Sequence, residues 1–270
     1  MSSKSLSYMI SLTTFWMINF GILLFLIAPK AQAETFKVGV HESPPLVFAK
    51  KATLQGIYKE IFVEISKITA DTFVFDYATP DQIIVDFNSD KVDIEPGINP
   101  IWRRTEKVPG VYSRPFATSA SVIVRYQGPV KTTKSKAKSE KATLSTPAKN
   151  ALVKTGLIDG YEYPSLDDHF AKGEWVPVYA ADELALIKLL MEQKVDQAII
   201  QQGVMEYYLR TKNPKDAHNF VFSDPVEKRD IMLRVNPSKA QAIGRFNEAI
   251  KKLLENGTIK KIYDHYRLND

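Results

Sequence analysis

Phe36-Lys37-Val38-Gly39-Val40 opens the stretch, residues 36–94, whose alternation decides the fold. It is a short β-rich run that ends in a turn around Ser43-Pro44-Pro45. From Leu54 onward Ile57, Ile61, Ile65 and Ile68 recur at helical spacing, with Lys59, Glu60, Glu64 and Lys67 on the other faces. Phe73-Val74-Phe75-Asp76-Tyr77 reads as a second strand, Asp81 to Ser89 as a helix, and Val92-Asp93-Ile94 as a third strand. Strand and helix in strict alternation predict a mainly parallel sheet with helices on its faces.

The order recurs further on. Trp175-Val176-Pro177-Val178-Tyr179 is strand-like, Leu184, Ile187 and Met191 mark a helix capped near Asp182, and Asp196-Gln197-Ala198-Ile199-Ile200 reads as another buried strand. Two local echoes suggest twin lobes. Lys91-Val92-Asp93-Ile94 is matched by Lys194-Val195-Asp196, and Tyr112-Ser113-Arg114-Pro115-Phe116 by Phe222-Ser223-Asp224-Pro225-Val226. The second pair precedes two β-rich runs, residues 121–126 and 230–235, read as strands that cross between the lobes. The tail carries Ile243, Phe246, Ile250 and Leu253 on one helical face, ended by Asn256-Gly257, and then a short helix with Ile259, Ile262, Tyr263 and Tyr266.

Composition narrows the function classes. The chain has 270 residues, 44% hydrophobic and 25% charged, with 3 Trp, 12 Tyr and 14 Phe, which is the make-up of a globular protein rather than a disordered one. The absence of Cys excludes a disulfide scaffold, a thiolate metal site and a thiol nucleophile. The net charge of +5 is interspersed with acids and does not mark a nucleic-acid binder. His41, His169, His218 and His265 lack metal-ligand spacing, so no metal and no cofactor are expected. Residues 131–149, rich in Lys among Ser, Thr and Ala, read as a solvated loop or as a contact for an anionic surface.

Residues 1–33 read as a leader: Lys4, an uncharged run from Met9 to Ala28, Pro29, and the small-x-small sequence Ala31-Gln32-Ala33. Cleavage is expected after Ala33, leaving an exported, periplasmic chain; the rival reading is an uncleaved anchor, since the run is long enough to span a bilayer. Residues 34–119 and 230–270 are expected to form one lobe and residues 120–229 the other.

These pieces in this order resemble the family 3 solute-binding proteins, extracytoplasmic receptors that deliver polar amino acids to ABC importers. The carriers are residues 36–40 with Pro44-Pro45, Gly56 before the first helix, residues 91–94, Arg104 ahead of residues 112–116, residues 194–198, and Gly257-Thr258-Ile259-Lys260-Lys261-Ile262-Tyr263 at the end. The likeness covers essentially all of residues 34–270. It implies an α/β, two-lobed type II periplasmic-binding fold, with two crossover strands as hinge and the ligand in the cleft between lobes.

Such a cleft needs a cation for a ligand carboxylate, and a guanidinium suits this because its planar fork matches the anion. The family's arginine is best matched by Arg104; Arg103 is adjacent and could turn inward instead, because the stretch to Tyr112 is longer than the usual pattern. Gly97-Ile98-Asn99 lies where backbone N–H groups meet the ligand, with Gly97 permitting close approach and Asn99 offering a side-chain bond. Gly160-Tyr161-Glu162-Tyr163-Pro164 corresponds to a Gly-Ser/Thr segment at a helix start, with Tyr161 in place of the small hydroxyl residue. Gln201 stands where amino-acid binders carry an Asp. A neutral amide cannot balance a buried ammonium, which tilts the site toward a carboxylate-bearing solute with little or no ammonium charge, unless Glu162, Glu206 or Glu42 restores the anion. Phe48 or Trp102 either stacks on the ligand or packs structurally.

The resemblance implies a monomeric binding protein, not an enzyme, with a small carboxylate-bearing ligand and an ABC permease as partners. Two other functions stay open: a periplasmic sensory protein of the same fold, and an acid–base elimination enzyme like the cyclohexadienyl dehydratases, for which Glu162 or Glu206 would be the acid.

Overall fold

The computed structural model of the chain describes residues 33–48, 55–129 and 152–266; residues 1–32 of the expected leader and the Lys-rich residues 131–149 lie outside them. The expected alternation is present from the first described strand. β1 (Thr35–Val40) leads to α1 (Ile57–Thr69), β2 (Thr72–Tyr77), α2 (Pro80–Asn88) and β3 (Ile94–Ile98). Apolar residues at three- and four-residue intervals bury Ile57, Ile61 and Ile65 of α1, with Tyr58 and Phe62 beside them, whereas Ile68 emerges at the exposed C-terminal turn. Ala70 closes the helix in the left-handed conformation and donates its N–H to Ser66 O.

β4 (Val111–Tyr112) and the long β5 (Ala117–Tyr126) follow, then β6 (Val153–Ile158), α3 (Asp167–Ala171), β7 (Trp175–Ala180), α4 (Glu183–Met191) and β8 (Gln197–Gln201). α5 (Gln202–Thr211), β9 (Phe220–Phe222), β10 (Glu227–Val235), α6 (Ile243–Glu255) and α7 (Thr258–Tyr266) complete the chain. The sheet path is β2-β1-β3-β10-β5-β8-β6-β7. β1 is parallel to β2 and β3, and β6 is parallel to β7 and β8; the antiparallel pairs are concentrated where β10 and β5 carry the sheet from one set to the other. β10 pairs with β3 through residues 232–235 and with β5 through residues 227–231, so one continuous strand serves both sets.

Each set has its own core. Phe36, Val38, Phe62, Ile65, Ile94, Val235, Phe246 and Ile250 fill one, and Val122, Val124, Leu186, Leu190, Ala198 and Met205 fill the other. Each of the larger side chains is worth about 1.5–3 kcal/mol of burial. Arg234, fully buried, lies 3.8 Å over the Phe87 ring and donates to Glu95 and to Val108 O.

Both sequence echoes correspond to a repeated hydrogen-bonding device. Asp93 accepts the Lys37 N–H at 2.8 Å and returns its own N–H to Lys37 O. Asp196 does the same with Lys154, at 2.7 Å. This places the third strand at Ile94–Ile98, later than residues 92–94, because Asp93 brackets β1 before the strand proper begins. Ser113 exchanges bonds with Leu233 of β10, and Ser223 exchanges the equivalent bonds with Ile123 of β5. The two halves are therefore alike in local chemistry as well as in element order.

Candidate functional site

A cavity of about 110 Å³ lies between the two halves. Its walls come from the carboxyl ends of parallel strands, where chains leaving a sheet diverge and open a crevice. His41 and Ser43 follow β1, Gly97 and Ile98 end β3, Tyr161 and Tyr163 follow β6, and Ile200 and Gln201 end β8. Val40, Leu46, Ile83, Ile158 and Ile199 make much of the remaining surface apolar.

The cation of this cavity is Arg103. Its side chain is 5% exposed, Nη2 donates to Glu95 Oε1 at 3.1 Å, and Nη1 donates to Trp102 O at 3.0 Å. Nε is buried and has no acceptor among the described residues. Burial opposes the charge, but the Glu95 carboxylate more than offsets it and raises the guanidinium pKa above its ordinary value. Arg104 does not line the cavity: its side chain is 41% exposed, and it reaches across the rim to Asp167 at 3.0 Å and Glu162 at 3.5 Å. The 3₁₀ turn Pro100–Arg103 separates the two arginines, since successive residues of such a turn point about 120° apart.

Gly97, Trp102, Tyr161 and Gln201 also line the cavity. Gly97 has φ +76°, and a Cβ there would run into the Tyr58 hydroxyl, so only glycine fits. Trp102 Nε1 donates to Glu227 Oε2 at 3.1 Å, and Gln201 Nε2 donates to Ser119 Oγ at 2.8 Å. Three expected residues lie elsewhere. Asn99 caps the 3₁₀ turn through Ile101 N and ties it to Asp230 O of β10; Phe48 packs against Tyr207 and Tyr266; Glu42 is outside the lining. The segment at Tyr161 is a turn, not a helix start. The Tyr161 N–H is taken by Ile158 O, and the 3₁₀ turn begins at Pro164.

Sequence reasoning missed Glu183. Asp182 caps α4 by accepting the Ala185 N–H at 2.8 Å, which makes Glu183 the first helical residue, where the helix dipole favours an anion. Its carboxylate, 4% exposed, accepts from Ser43 Oγ at 2.9 Å and Tyr161 Oη at 3.2 Å, with His41 Nε2 at 3.7 Å. Burial pushes its pKa up, but the His41 bond and charge, the backbone N–H and Ser43 outweigh burial and hold it below the ordinary value. Burial first, and then Glu183, push the Tyr161 phenol well up. Glu95 and Glu227 were missed as well. An acid directly after the expected strand Val92-Asp93-Ile94 was the available signal for Glu95; nothing marked Glu183 beyond its place beside a cap.

The halves touch around the cavity through His41 and Ser43 against Tyr161 and Glu183, through Thr105 Oγ1 donating to Glu162 at 2.6 Å, and through Arg104. Gly160 adds a backbone contact: a Cβ on it would stand 2.6 Å from Asp81 N.

Solved structures share this architecture. A substrate-binding protein of an ABC uptake transporter from Streptococcus pneumoniae with bound histidine is 15% identical, with TM-score 0.67 over 87% of this chain and 93% of that one. An ancestral arginine-binding protein bound to glutamine is 19% identical, with TM-score 0.66 over 86% and 97%. The arginine-, lysine-, histidine-binding protein ArtJ from Geobacillus stearothermophilus is 16% identical, with TM-score 0.64 over 86% and 94%. No curated protein is significantly similar in sequence. The family model for bacterial extracellular solute-binding proteins, family 3, matches residues 36–269. With that match spanning nearly the whole chain and the fold in agreement, the protein belongs to the family 3 bacterial extracellular solute-binding proteins.

Proposed function

We propose that this chain is a periplasmic receptor that captures a small carboxylate-bearing solute between its two lobes and presents it to an ABC importer. Residues 34–119 with 230–270 form one lobe and residues 120–229 the other; bending at β5 and β10 opens and closes the cleft. Residues 1–33 are a signal peptide removed after Ala33. The receptor works as a monomer, without a cofactor, and catalyses no reaction.

The observation that carries this reading is the buried Arg103 guanidinium in the wall of a cavity whose surface is largely apolar, its Nε–H lacking an acceptor among the described residues. A buried donor without a partner costs about 1–3 kcal/mol, and a carboxylate entering the cleft supplies one. Closure of the cleft needs only a solute that binds the closed state better than the open one.

The test is a thermal-shift panel of small carboxylates and amino acids on the wild type, Arg103→Gln and Arg104→Ala. The wild type and Arg104→Ala are expected to be stabilised by the same solutes, because an exposed ion pair contributes about 1 kcal/mol or less. Arg103→Gln is expected to lose that response while keeping its own cooperative melt. An undiminished response in a folded Arg103→Gln protein would remove the anchor and the proposal with it.

A further inference from the structure

A second cavity, of about 260 Å³, adjoins the first and shares Leu46, Ser119 and Gln201 with it. The alternation of β5 sets the two on opposite faces of that strand. Ser119 and Ser121 belong to the face of the first cavity, whereas Thr118 and Ala120 line the second and continue the face on which Val122 and Val124 pack with Met205 of α5. The strand between them is bare along one edge. β8 pairs with β5 over residues 121–124 and then turns into α5, so among the described residues β10 alone pairs with residues 117–120. Past the last rung, Ser121 opposite Gln201, the Gln201 side chain reaches along β5 and donates to Ser119 Oγ at 2.8 Å. That neutral hydrogen bond lies where the two cavities adjoin.

We infer that the solute space continues past Gln201 into the second cavity, and that this receptor takes an elongated solute: a carboxylate at Arg103 followed by amide groups, as in a short peptide. The inference rests on reading the first cavity as the solute-binding cleft. A strand edge without a neighbour offers backbone N–H and C=O groups to an extended chain, which is how peptides add to sheets. Amide groups match such an edge because each carries both a donor and an acceptor. The walls change character along the same path. Val40, Ile83 and Ile158 make the first cavity apolar around Arg103, while Glu206, Arg210 and Tyr266 give the second polar walls. Gln201 and Ser119 are then a gate. Side-chain rotamers change fast, and the bond that opens is a neutral one, whose net worth is small and which a solute amide replaces. The identity of Gln201 fits this task. Once released from Ser119, its amide can both donate to and accept from a passing solute amide, which the Asp of amino-acid binders cannot.

The experiment measures, by calorimetry, the affinities of N-acetylated alanine, leucine and phenylalanine and of N-acetylated di- and tripeptides ending in the same residues. Acetylation keeps the far end uncharged, so that length and amide content are what vary. The wild type is expected to bind at least one acetylated dipeptide about 10-fold more tightly than the acetylated amino acid it ends in, the worth of one or two hydrogen bonds. Ala120→Leu, which fills the second cavity from the face of β5 turned away from the first, should bring that ratio to about one-fold. Gln201→Ala should raise the ratio by about 2- to 10-fold, because the gate bond no longer has to be broken. Each variant's melt is recorded, and Gln201→Ala carries the test if Ala120→Leu does not fold. The inference is overturned if affinity stays flat or falls as amides are added, if a folded Ala120→Leu protein keeps the ratio, or if Gln201→Ala lowers it. Short carboxylates that bind and weaken in Arg103→Gln, with no gain from length, would leave the receptor standing and sink the second cavity alone. If no member binds, the inference falls, and the receptor is then judged by its own panel of carboxylates and amino acids.

Discussion

Arg103 and Arg104 are identical in chemistry and adjacent in sequence, yet one lines a cavity and the other bridges its rim. Placement divides them, because the desolvated guanidinium is held charged by Glu95 while the exposed one shares Asp167 and Glu162 with water. Glu183 shows the same dependence on surroundings. Its pKa lies below the ordinary 4.5 although burial alone would raise it, since His41, Ser43 and the backbone N–H favour the anion. A carboxylate depressed in the folded state adds stability that is present above 4.5 and is lost as pH falls through its folded value. The melting temperature is therefore expected to drop on acidification below 4.5, and Glu183→Gln should make that drop shallower. Calorimetric melts of both proteins across that range provide the check; parallel curves would show that Glu183 is not depressed by folding.

Among the elements, the turn after β6 decides how closely the halves can approach. Gly160 has φ +77°, and its missing Cβ leaves room for the backbone at the start of α2, with Asp81 N 2.6 Å from where that atom would be. Gly160→Ala is expected to cost the fold only about 1 kcal/mol, the penalty of a left-handed alanine. Its main effect should be on closure, because the clash lies between halves rather than inside either core. Small-angle scattering with saturating solute should report a protein more open than wild type, and calorimetry a weaker affinity. An unchanged affinity would show that the contact at Asp81 is not needed for binding. The paired strand-entry aspartates, Asp93 and Asp196, make a complementary point: one local device, used twice, sets two strands in register against Lys37 and Lys154.

For the whole molecule, two cores joined through β5 and β10 place the tyrosines of the cavity between them. Tyr58, Tyr161 and Tyr163 all have phenols pushed above 10.0, burial being the leading cause in each. A phenol whose folded pKa is raised is fully stabilising below its unfolded value, and that stability is lost as pH rises past it. Alkaline unfolding is expected to set in above pH 10.0, with the tyrosinate absorbance of these three residues appearing together with loss of structure. If a folded protein shows all its tyrosines ionising at the ordinary value, the cavity is open to solvent.

Apolar patterning determined the alternation from β1 to β3, the order β7-α4-β8, the strands β5 and β10 and the two C-terminal helices, because a period of two or of about 3.6 is written into the chain before it folds; β4, β6, α3, α5 and β9 emerged only in the structure. The echoes around Asp93 and Ser113 were legible for the same reason: short-range bonds need only the right residues at the right spacing. Gly97, Tyr161 and Gln201 were expected near a cleft through the family resemblance, and the structure supplies the reason: they close β-strands or follow them, and strand ends gather at one edge of a parallel sheet. Which arginine turns inward, which acid goes without an arginine, and that Phe48 belongs to packing against Tyr207 and Tyr266 were decided only in the tertiary structure. A side chain's burial and partners come from elements distant in sequence, such as Ser43 meeting Glu183 across 140 positions. No local pattern encodes that meeting.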